Sequence, residues 1–305
     1  MIGRLAGGCL AIWGAVSIVF VITRLLGDPA ALLLPIGATP AQLQALTAAL
    51  GLDQPLGTQY LRYLGQLFHG DLGQSFSMGR PALQVVLQRL PATALLAATA
   101  LLLGSLGGLL LAVLGVVARD GWGRWLVRPL VALAQATPTF WLGILLVMIF
   151  AVRLGWLPSG GYGSPAHLVL PAATLGCYIA ASVARYLDSS LMEALRGEHV
   201  RTAQAMGLGA ATVFTWHVLR NALVPVVTYL GMIAGELLGG AVVVESVFSW
   251  PGSGRLLVQA IMSKDFPVIQ ASVLVAAVLF VLMSLLTDGL YRWLDPRAAV
   301  RGAHD

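Results

Sequence analysis

Charge is scarce in this sequence. Only 10% of the 305 residues are charged, whereas a soluble domain usually carries about 25%. Lysine occurs once, as Lys264, so the net charge of +5 is not gathered into the lysine clusters that a phosphate-binding surface needs. We therefore expect no nucleic-acid partner. The 58% hydrophobic content predicts an integral membrane protein that is built as one membrane domain.

Cysteine and catalytic motifs are scarce as well. Cys9 and Cys177 fall in different apolar segments, which argues against a disulfide framework and a cysteine metal site. A Gly-rich phosphate loop ending in Lys-Ser/Thr, a GxSxG motif and an HExxH motif are all missing. An intramembrane enzyme would need converging titratable groups, and only Glu236 lies well inside an apolar run. We expect no catalysis, no metal and no cofactor bound by this chain.

Long apolar runs, in contrast, are abundant. Crossing about 30 Å of hydrocarbon takes roughly 20 residues, and six charge-poor runs meet that need. They are Leu5–Thr23, Leu90–Ala118, Pro129–Val152, His167–Ala184, Ala222–Glu245 and Phe266–Thr287. The predicted fold is an all-α polytopic membrane protein with six transmembrane helices. A cleaved signal peptide is the alternative for the first run, but no small-x-small cleavage site follows it.

The distribution of basic residues predicts the orientation of the chain in the membrane. With the N-terminus inside, eleven of the 18 basic residues lie on the cytoplasmic side. They are Arg4, Arg119, Arg124, Arg128, Arg185, Arg196, Arg201, Arg220, Arg292, Arg297 and Arg301. Cytoplasmic loops are enriched in such residues, so we predict both termini inside. The chain then divides into a first helix (1–26), an extracytoplasmic segment (27–89), a five-helix core (90–291) and a cytoplasmic tail (292–305).

One charged stretch interrupts the core at 188–221. Charges at its start cannot lie in hydrocarbon, where each costs about 2.5–3.5 kcal/mol at the centre of a span. Ser190 and Glu193 have the spacing of a capping box, which predicts a first short helix. Gly207 and Gly209 break the pattern, and a second short helix follows over Ala210–Arg220. An exposed helix-Gly-helix unit suits docking into a groove of another protein; an ordinary polar loop is the alternative.

Three further features stand outside this stretch. The long outer segment predicts two helices, a capped one after Thr39–Pro40 over Ala41–Leu50 and another over Gln59–Leu67. Pro138 falls inside the third predicted span, where it would kink the helix as a static bend or as a hinge. Glu236, surrounded by glycines, either bonds to a neighbouring helix or lines a water-filled route.

Five strings in order carry a resemblance that covers almost the whole chain: GLDQPL, GDLGQSF, WLPSGGYG, RTAQAMG…HVLRNALVP and ESVFSWPGSGR. They resemble the permease subunits of binding-protein-dependent ABC importers, in particular the dipeptide/oligopeptide/nickel group. That family carries a Glu-Ala-Ala triplet four residues before a glycine. Here the triplet positions hold Arg201, Thr202 and Ala203 before Gly207, and Arg220 stands where many relatives have proline.

The resemblance implies partners and a mechanism. It implies a second homologous permease, two ATPase subunits that use ATP, an extracytoplasmic solute-binding protein, and a bacterial inner membrane as the location. The charged stretch would transmit ATPase closure, and the spans would work by alternating access. A secondary transporter is the alternative, but six spans with one intramembrane acid argue against it.

The resemblance also implies three groups of site residues. The ATPase-coupling residues are Glu193, Arg201, Ala203, Gly207, His217 and Arg220. The pathway residues are Glu236, Pro138 and Met232, and the residues facing the binding protein are Asp53, Asp71 and Trp250. The string GMIAGELLGG (Gly231–Gly240) is similar to nickel permeases. We therefore expect nickel or a metal chelate as the solute, with a short peptide as the alternative.

Overall fold

The computed structural model describes residues 2–25, 34, 38–49, 51–117 and 122–294. Within these residues the regular structure is helical, apart from one isolated bridge between Gln74 and Pro81. In chain order the helices are α1 (Ile2–Leu25), α2 (Pro40–Ala49), α3 (Leu56–Phe68), α4 (Ala82–Leu87), α5 (Leu90–Val117), α6 (Trp122–Ala136), α7 (Thr139–Arg153), α8 (Pro165–Leu195), α9 (Glu198–Ala205), α10 (Ala210–Gly239), α11 (Val242–Val247), α12 (Ser253–Met262) and α13 (Phe266–Leu294). Short π-helical stretches end α7 and lie near the start of α10.

Five of these helices are long and apolar enough to cross a membrane: α1, α5, α8, α10 and α13. A sixth crossing is possible if α6 and α7 are taken together. The prediction of an all-α polytopic membrane protein is confirmed, with five continuous spans and a sixth candidate that is sharply bent. Most of the predicted tail, residues 295–305, and parts of the outer segment lie outside the described residues.

The third predicted span, Pro129–Val152, is not one kinked helix. Helix α6 ends at Ala136, α7 begins at Thr139, and the two are bent by 104°. Pro138 stands between them with an extended backbone, φ −59° and ψ 134°. Proline lacks an N–H for the helix ladder and pushes the preceding residue, Thr137, out of the helical region. Pro138 therefore separates two helices instead of bending one.

Two other predicted boundaries are wrong. The fifth span was expected to reach Glu245, but α10 ends at Gly239, and Gly240 takes a φ of 120° that favours glycine. Glu245 lies in the separate short helix α11. The predicted capping box at Ser190 is wrong as well, because α8 runs without a break through this position to Leu195.

Helices α5 and α8 form the most extensive helix pair. Glycines allow this close approach: a Cβ on Gly104 would lie 2.5 Å from Cβ of Ile179, and one on Gly108 would lie 2.6 Å from Cβ of Val183. Small residues at such contacts are the usual means by which membrane helices pack tightly. Helix α13 packs on α1 and α10, so α8 and α10 occupy the middle of the bundle.

The outer segment folds largely as its sequence predicts. Thr39 and Gln42 exchange reciprocal hydrogen bonds between side chain and backbone at 2.9 and 3.3 Å, which caps α2. Helix α3 covers the predicted range 59–67 and packs against α1, where the Tyr63 ring stacks on Phe20. These contacts attach the segment to the first span.

We expect the end of the bundle that carries α9 to face the cytoplasm, since the arginine distribution favours it. Cysteine introduced at the exposed residue Gln54 should react with an impermeant thiol reagent in sealed, right-side-out cells, and cysteine at the exposed residue Gln204 should not. Both variants are made after Cys9 and Cys177 have been replaced by alanine. Labelling of Q204C but not of Q54C would invert the topology.

Candidate functional site

The predicted coupling segment, which is the charged stretch at 188–221, is formed by the ends of two spans and the short helix between them. Helix α8 continues to Leu195, and α10 begins at Ala210, so only 196–209 connects them. Helix α9 lies in this connection and packs Val200 and Ala203 into the same apolar cluster as Val213 and Val218 of α10. A displacement of α9 would therefore be passed directly to both spans.

Gly207 closes α9 as the sequence pattern indicates. Its φ is +79°, and the N–H groups of Gly207 and Leu208 donate to the carbonyls of Gln204 and Ala203 at 3.0 and 3.3 Å. Two bonds of this spacing define a Schellman cap, whose position after the helix strongly favours glycine. Gly209, in contrast, has a φ of −63° that any residue adopts.

The exposed surface of the coupling segment mixes charge with apolar side chains. Glu193, Arg201 and Arg220 are exposed, and His217 is half-buried. Ala203, which we had placed in this group, is only 1% exposed, so it holds α9 in place and cannot touch a partner.

Met206 and Trp216 are 68% and 66% exposed on this segment and were missed in the sequence. The available signal was a large apolar residue within a polar stretch. Exposed aromatic and methionine side chains are typical anchors of protein interfaces.

A second surface runs along the middle of the bundle. Residues of α10 that are exposed recur every three or four positions and so share one face: Asn221, Pro225, Thr228, Met232 and Glu236. Met232 is 54% exposed and lies one turn from Glu236. Thus the two predicted pathway residues of α10 fall on the same face, together with two further polar side chains.

Helix α8 extends this polar surface. It exposes Tyr178, Arg185 and Tyr186. The Tyr186 ring lies 4.7 Å from that of Tyr229 on α10. The Tyr229 side chain forms a hydrogen bond with Ser182 of α8.

Ser182 also receives a hydrogen bond at 3.4 Å from Gln135, one turn before the α6–α7 break that holds Pro138. The third predicted pathway residue thus lies beside this cluster. We call the surface formed by Tyr178 and Tyr186 of α8 and by the exposed face of α10 the polar face.

The other spans present a different surface. Their exposed side chains are large and apolar, as with Ile18 of α1, Leu102 and Leu106 of α5, and Leu286 of α13. Such surfaces are typical of contact with lipid, where polar side chains are costly. The polar face therefore needs a cover other than lipid.

Glu236 itself lies at a groove of about 450 Å³ between α1, α10 and α13. Small residues line much of this groove, including Ala11, Gly239 and Ala277. The carboxylate is exposed. This geometry leaves room for a polar group or a ligand beside it.

Trp250 does not face the outside as we had expected. Its side chain is 1% exposed, and its indole Nε1–H donates to the carbonyl of Ala92 at 2.9 Å. The reason lies in its neighbour Glu245, a fully buried carboxylate that accepts bonds from the Thr93 hydroxyl at 2.8 Å and the Arg255 N–H at 2.9 Å. The motif at 245–255 is thus a scaffold that ties α11 and α12 to the start of α5.

Gly252 is required by this scaffold. A Cβ at that position would lie 2.2 Å from Glu245 Oε1, too close for any side chain. The buried side chain of Trp250 is therefore not available for contact with a binding protein.

Asp53 and Asp71 do lie exposed, as expected for the outer surface. Asp71 accepts a hydrogen bond from the Gly73 N–H at 3.0 Å. The loop after Asp71 is anchored by Asp265, which sequence reasoning missed: its carboxylate accepts bonds from the hydroxyls of Ser75 and Ser77 at 2.5 and 2.7 Å. Burial would raise the pKa of Asp265, but these hydrogen bonds outweigh it and hold the pKa below its usual range.

The fold and these surfaces define a polytopic membrane permease, and comparison with known proteins gives its family. The chain belongs to the family of binding-protein-dependent transport system inner membrane components. The family's main part matches residues 104–300 and its N-terminal part matches residues 1–97. The chain is therefore a multi-pass inner-membrane subunit of an ABC importer and not an enzyme.

Three relatives are similar over nearly their whole length. A glutathione transport system permease protein GsiC of Pectobacterium atrosepticum is 40% identical and covers 97% of both chains. A probable D,D-dipeptide transport system permease protein DdpB of Escherichia coli K12 is 39% identical, covering 96% of this chain and 95% of its own. A candidate peptide transport system permease of Brucella suis biovar 1 is 41% identical over 91% of both chains.

Two solved structures share the fold. The MetNI methionine ABC transporter in inward-facing conformations gives a TM-score of 0.55 at 17% identity, covering 69% of this chain and 96% of its own. An amino acid ABC transporter with histidines gives a TM-score of 0.53 at 19% identity, and the match covers 70% of this chain and 94% of the transporter chain. The likeness supports the helical fold of this chain.

Replacing Gly207 by valine should uncouple the permease. A side chain at a left-handed position costs about 1–2 kcal/mol, and β-branching adds to it. We expect Gly207→Val to reach the membrane but to lose solute uptake and to retain less ATPase subunit in a pull-down. Gly209→Val is the matched control, since its backbone tolerates valine. Equal uptake and pull-down for both variants would contradict the coupling assignment.

Proposed function

We propose that this permease imports short peptides, which a solute-binding protein delivers and two ATPase subunits drive. The observation that carries the proposal is the polar face of α8 and α10, which places Glu236, Tyr178 and Tyr186 along the middle of an otherwise apolar bundle. The relatives named as peptide, dipeptide and glutathione permeases support this solute class. They favour it over the nickel or metal chelate that the 231–240 string suggested.

The chemistry of the polar face suits a peptide. A short peptide carries an ammonium group, a carboxylate and backbone amides, and each needs a polar partner once water is stripped away. Glu236 offers a negative charge for the ammonium group. The hydroxyls of Tyr178 and Tyr186 both donate and accept hydrogen bonds, as amides require, and they can also donate to a carboxylate.

The arrangement of the subunits follows from the same face. Polar side chains exposed at membrane depth must be covered by protein or line water. We infer that a second, homologous permease covers the polar face and that the solute passes between the two. ATP is then used by the ATPase subunits beneath α9, and this chain binds no cofactor.

The exposed surface of the coupling segment gives the ATPases a place to dock. Met206, Trp216 and the charged residues Glu193, Arg201 and Arg220 form its exposed part. Closure of the ATPases would push α9, which is continuous in packing with α8 and α10. The two helices that carry the polar face are therefore the ones that such a push would move, as alternating access needs.

The test is uptake of a radiolabelled dipeptide by the complete importer in proteoliposomes, with Glu236→Gln and Glu236→Ala. The Gln variant keeps the size and most of the hydrogen bonding but loses the charge. We expect it to reduce dipeptide uptake about tenfold, which corresponds to about 1.4 kcal/mol, while basal ATPase activity stays intact. Nickel uptake is measured in parallel to separate the two solute classes.

Two outcomes would contradict this account. Normal dipeptide uptake by Glu236→Gln, with loss only in Glu236→Ala, would make Glu236 a structural hydrogen-bonding residue. Nickel uptake by the wild type in the absence of dipeptide uptake would restore the metal as the solute.

A further inference from the structure

A cavity of about 210 Å³ lies between α5, α6 and α8. It lies near the end of α5 and beside the part of α8 that leads to Leu195, at the end of the bundle that carries the coupling segment. Along α6 it extends from Val127 to Gln135. One wall is apolar and includes Leu111, Val127 and Val131. The other is polar, so the cavity has the lining of a site for an amphipathic molecule.

The polar wall carries excess positive charge. It contains Arg128, Arg185 and Asp188. Arg128 approaches Asp188 only to 3.6 Å, with both side chains partly exposed. The Arg185 guanidinium lies over the Tyr186 ring, 5.7 Å from its centroid. Arg128, Arg185 and Asp188 together give this wall a net charge of +1, which favours an anion.

The surroundings point to lipid. All residues that line the cavity come from α5, α6 and α8, not from the face of α10 that carries Glu236. Next to it, Leu110 and Leu114 of α5 and Leu126 and Leu130 of α6 expose apolar side chains, as surfaces in contact with lipid do. Trp125 is 86% exposed at the start of α6, a residue type enriched where hydrocarbon meets headgroups.

We propose that this cavity binds an anionic phospholipid from the leaflet nearest the coupling segment. Its phosphate lies on Arg128 and Arg185, whose planar guanidinium groups match phosphate oxygens bidentately. The first part of an acyl chain lies against Leu111, Val127 and Val131. Basic pockets between membrane helices at the headgroup level bind anionic lipids in this manner.

The bound lipid would join α6 to α8. The only ion pair between these helices among the described residues is the loose one of Arg128 with Asp188. A phosphate held by Arg128 and Arg185 supplies a second, charge-assisted link. It would fix α6 next to the part of α8 that continues into the coupling segment.

The experiment uses the complete importer, purified in a neutral detergent and titrated with phosphatidylglycerol or phosphatidylcholine while native mass spectrometry counts bound lipids. We expect phosphatidylglycerol to bind about tenfold or more tightly than phosphatidylcholine. The double variant Arg128→Gln, Arg185→Gln should lose this preference, and Arg128→Lys, Arg185→Lys should keep part of it. Arg153→Gln, an exposed arginine of α7 outside the cavity, is the matched control and should bind like the wild type.

A second measurement does not depend on the folding of a variant. Phosphatidylglycerol with a photoreactive group near its headgroup should crosslink to 111–115, 127–135 or 184–188 of the wild type. Equal binding of the two lipids, or crosslinks confined to other parts of the chain, would overturn the proposal. Displacement of phosphatidylglycerol by glycerol phosphate alone at equal concentration would mean a phosphate site, and displacement by a dipeptide would mean a solute site; both results would overturn it too.

Discussion

Hydrocarbon offers no hydrogen bonds, and the arrangement of this molecule depends on that one constraint. Helices α1, α5 and α13 meet this constraint because the side chains that they expose are leucine, isoleucine and phenylalanine. Helices α8 and α10 do not: they expose Tyr178, Arg185, Thr228 and Glu236 over lengths that should cross the bilayer. The free energy of exposing such groups to lipid is too unfavourable, so these two helices must face protein or water. The assignment of the transport route follows from that difference between faces.

The same two helices leave the membrane as continuous rods. Helix α8 ends beyond the span at Leu195, α10 starts before it at Ala210, and α9 packs between them through Val200 and Ala203. At the opposite end, the buried Glu245 and Asp265 anchor the outer loops through hydrogen bonds from Thr93, Ser75 and Ser77. Hydrogen bonds therefore hold the outer end of the bundle together. The connection that a partner could displace, which contains α9, lies at the other end.

The sequence was sufficient for elements that depend on local chemistry. Apolar runs predicted the five continuous spans, Thr39 predicted a helix cap, and Gly207 predicted a break between two helices, and each was confirmed. Prediction from the sequence failed where contacts between residues far apart in the chain determine the structure. Trp250 is buried because Ala92 and Glu245 surround it, and no pattern around residue 250 shows a partner 158 positions away. Ser190 looked like a cap only because the continuation of α8 beyond the membrane has no signal of its own.

The central claim is that the exposed face of α10 meets water and not lipid. It is tested most directly by the reaction of cysteines with a water-soluble methanethiosulfonate in the complete importer, on a background without Cys9 and Cys177. Thiols react as thiolates, which form in water and not in hydrocarbon. We predict that T228C and M232C react about tenfold or more faster than L102C and L106C on α5. Equal, slow reaction at all four positions would contradict the account.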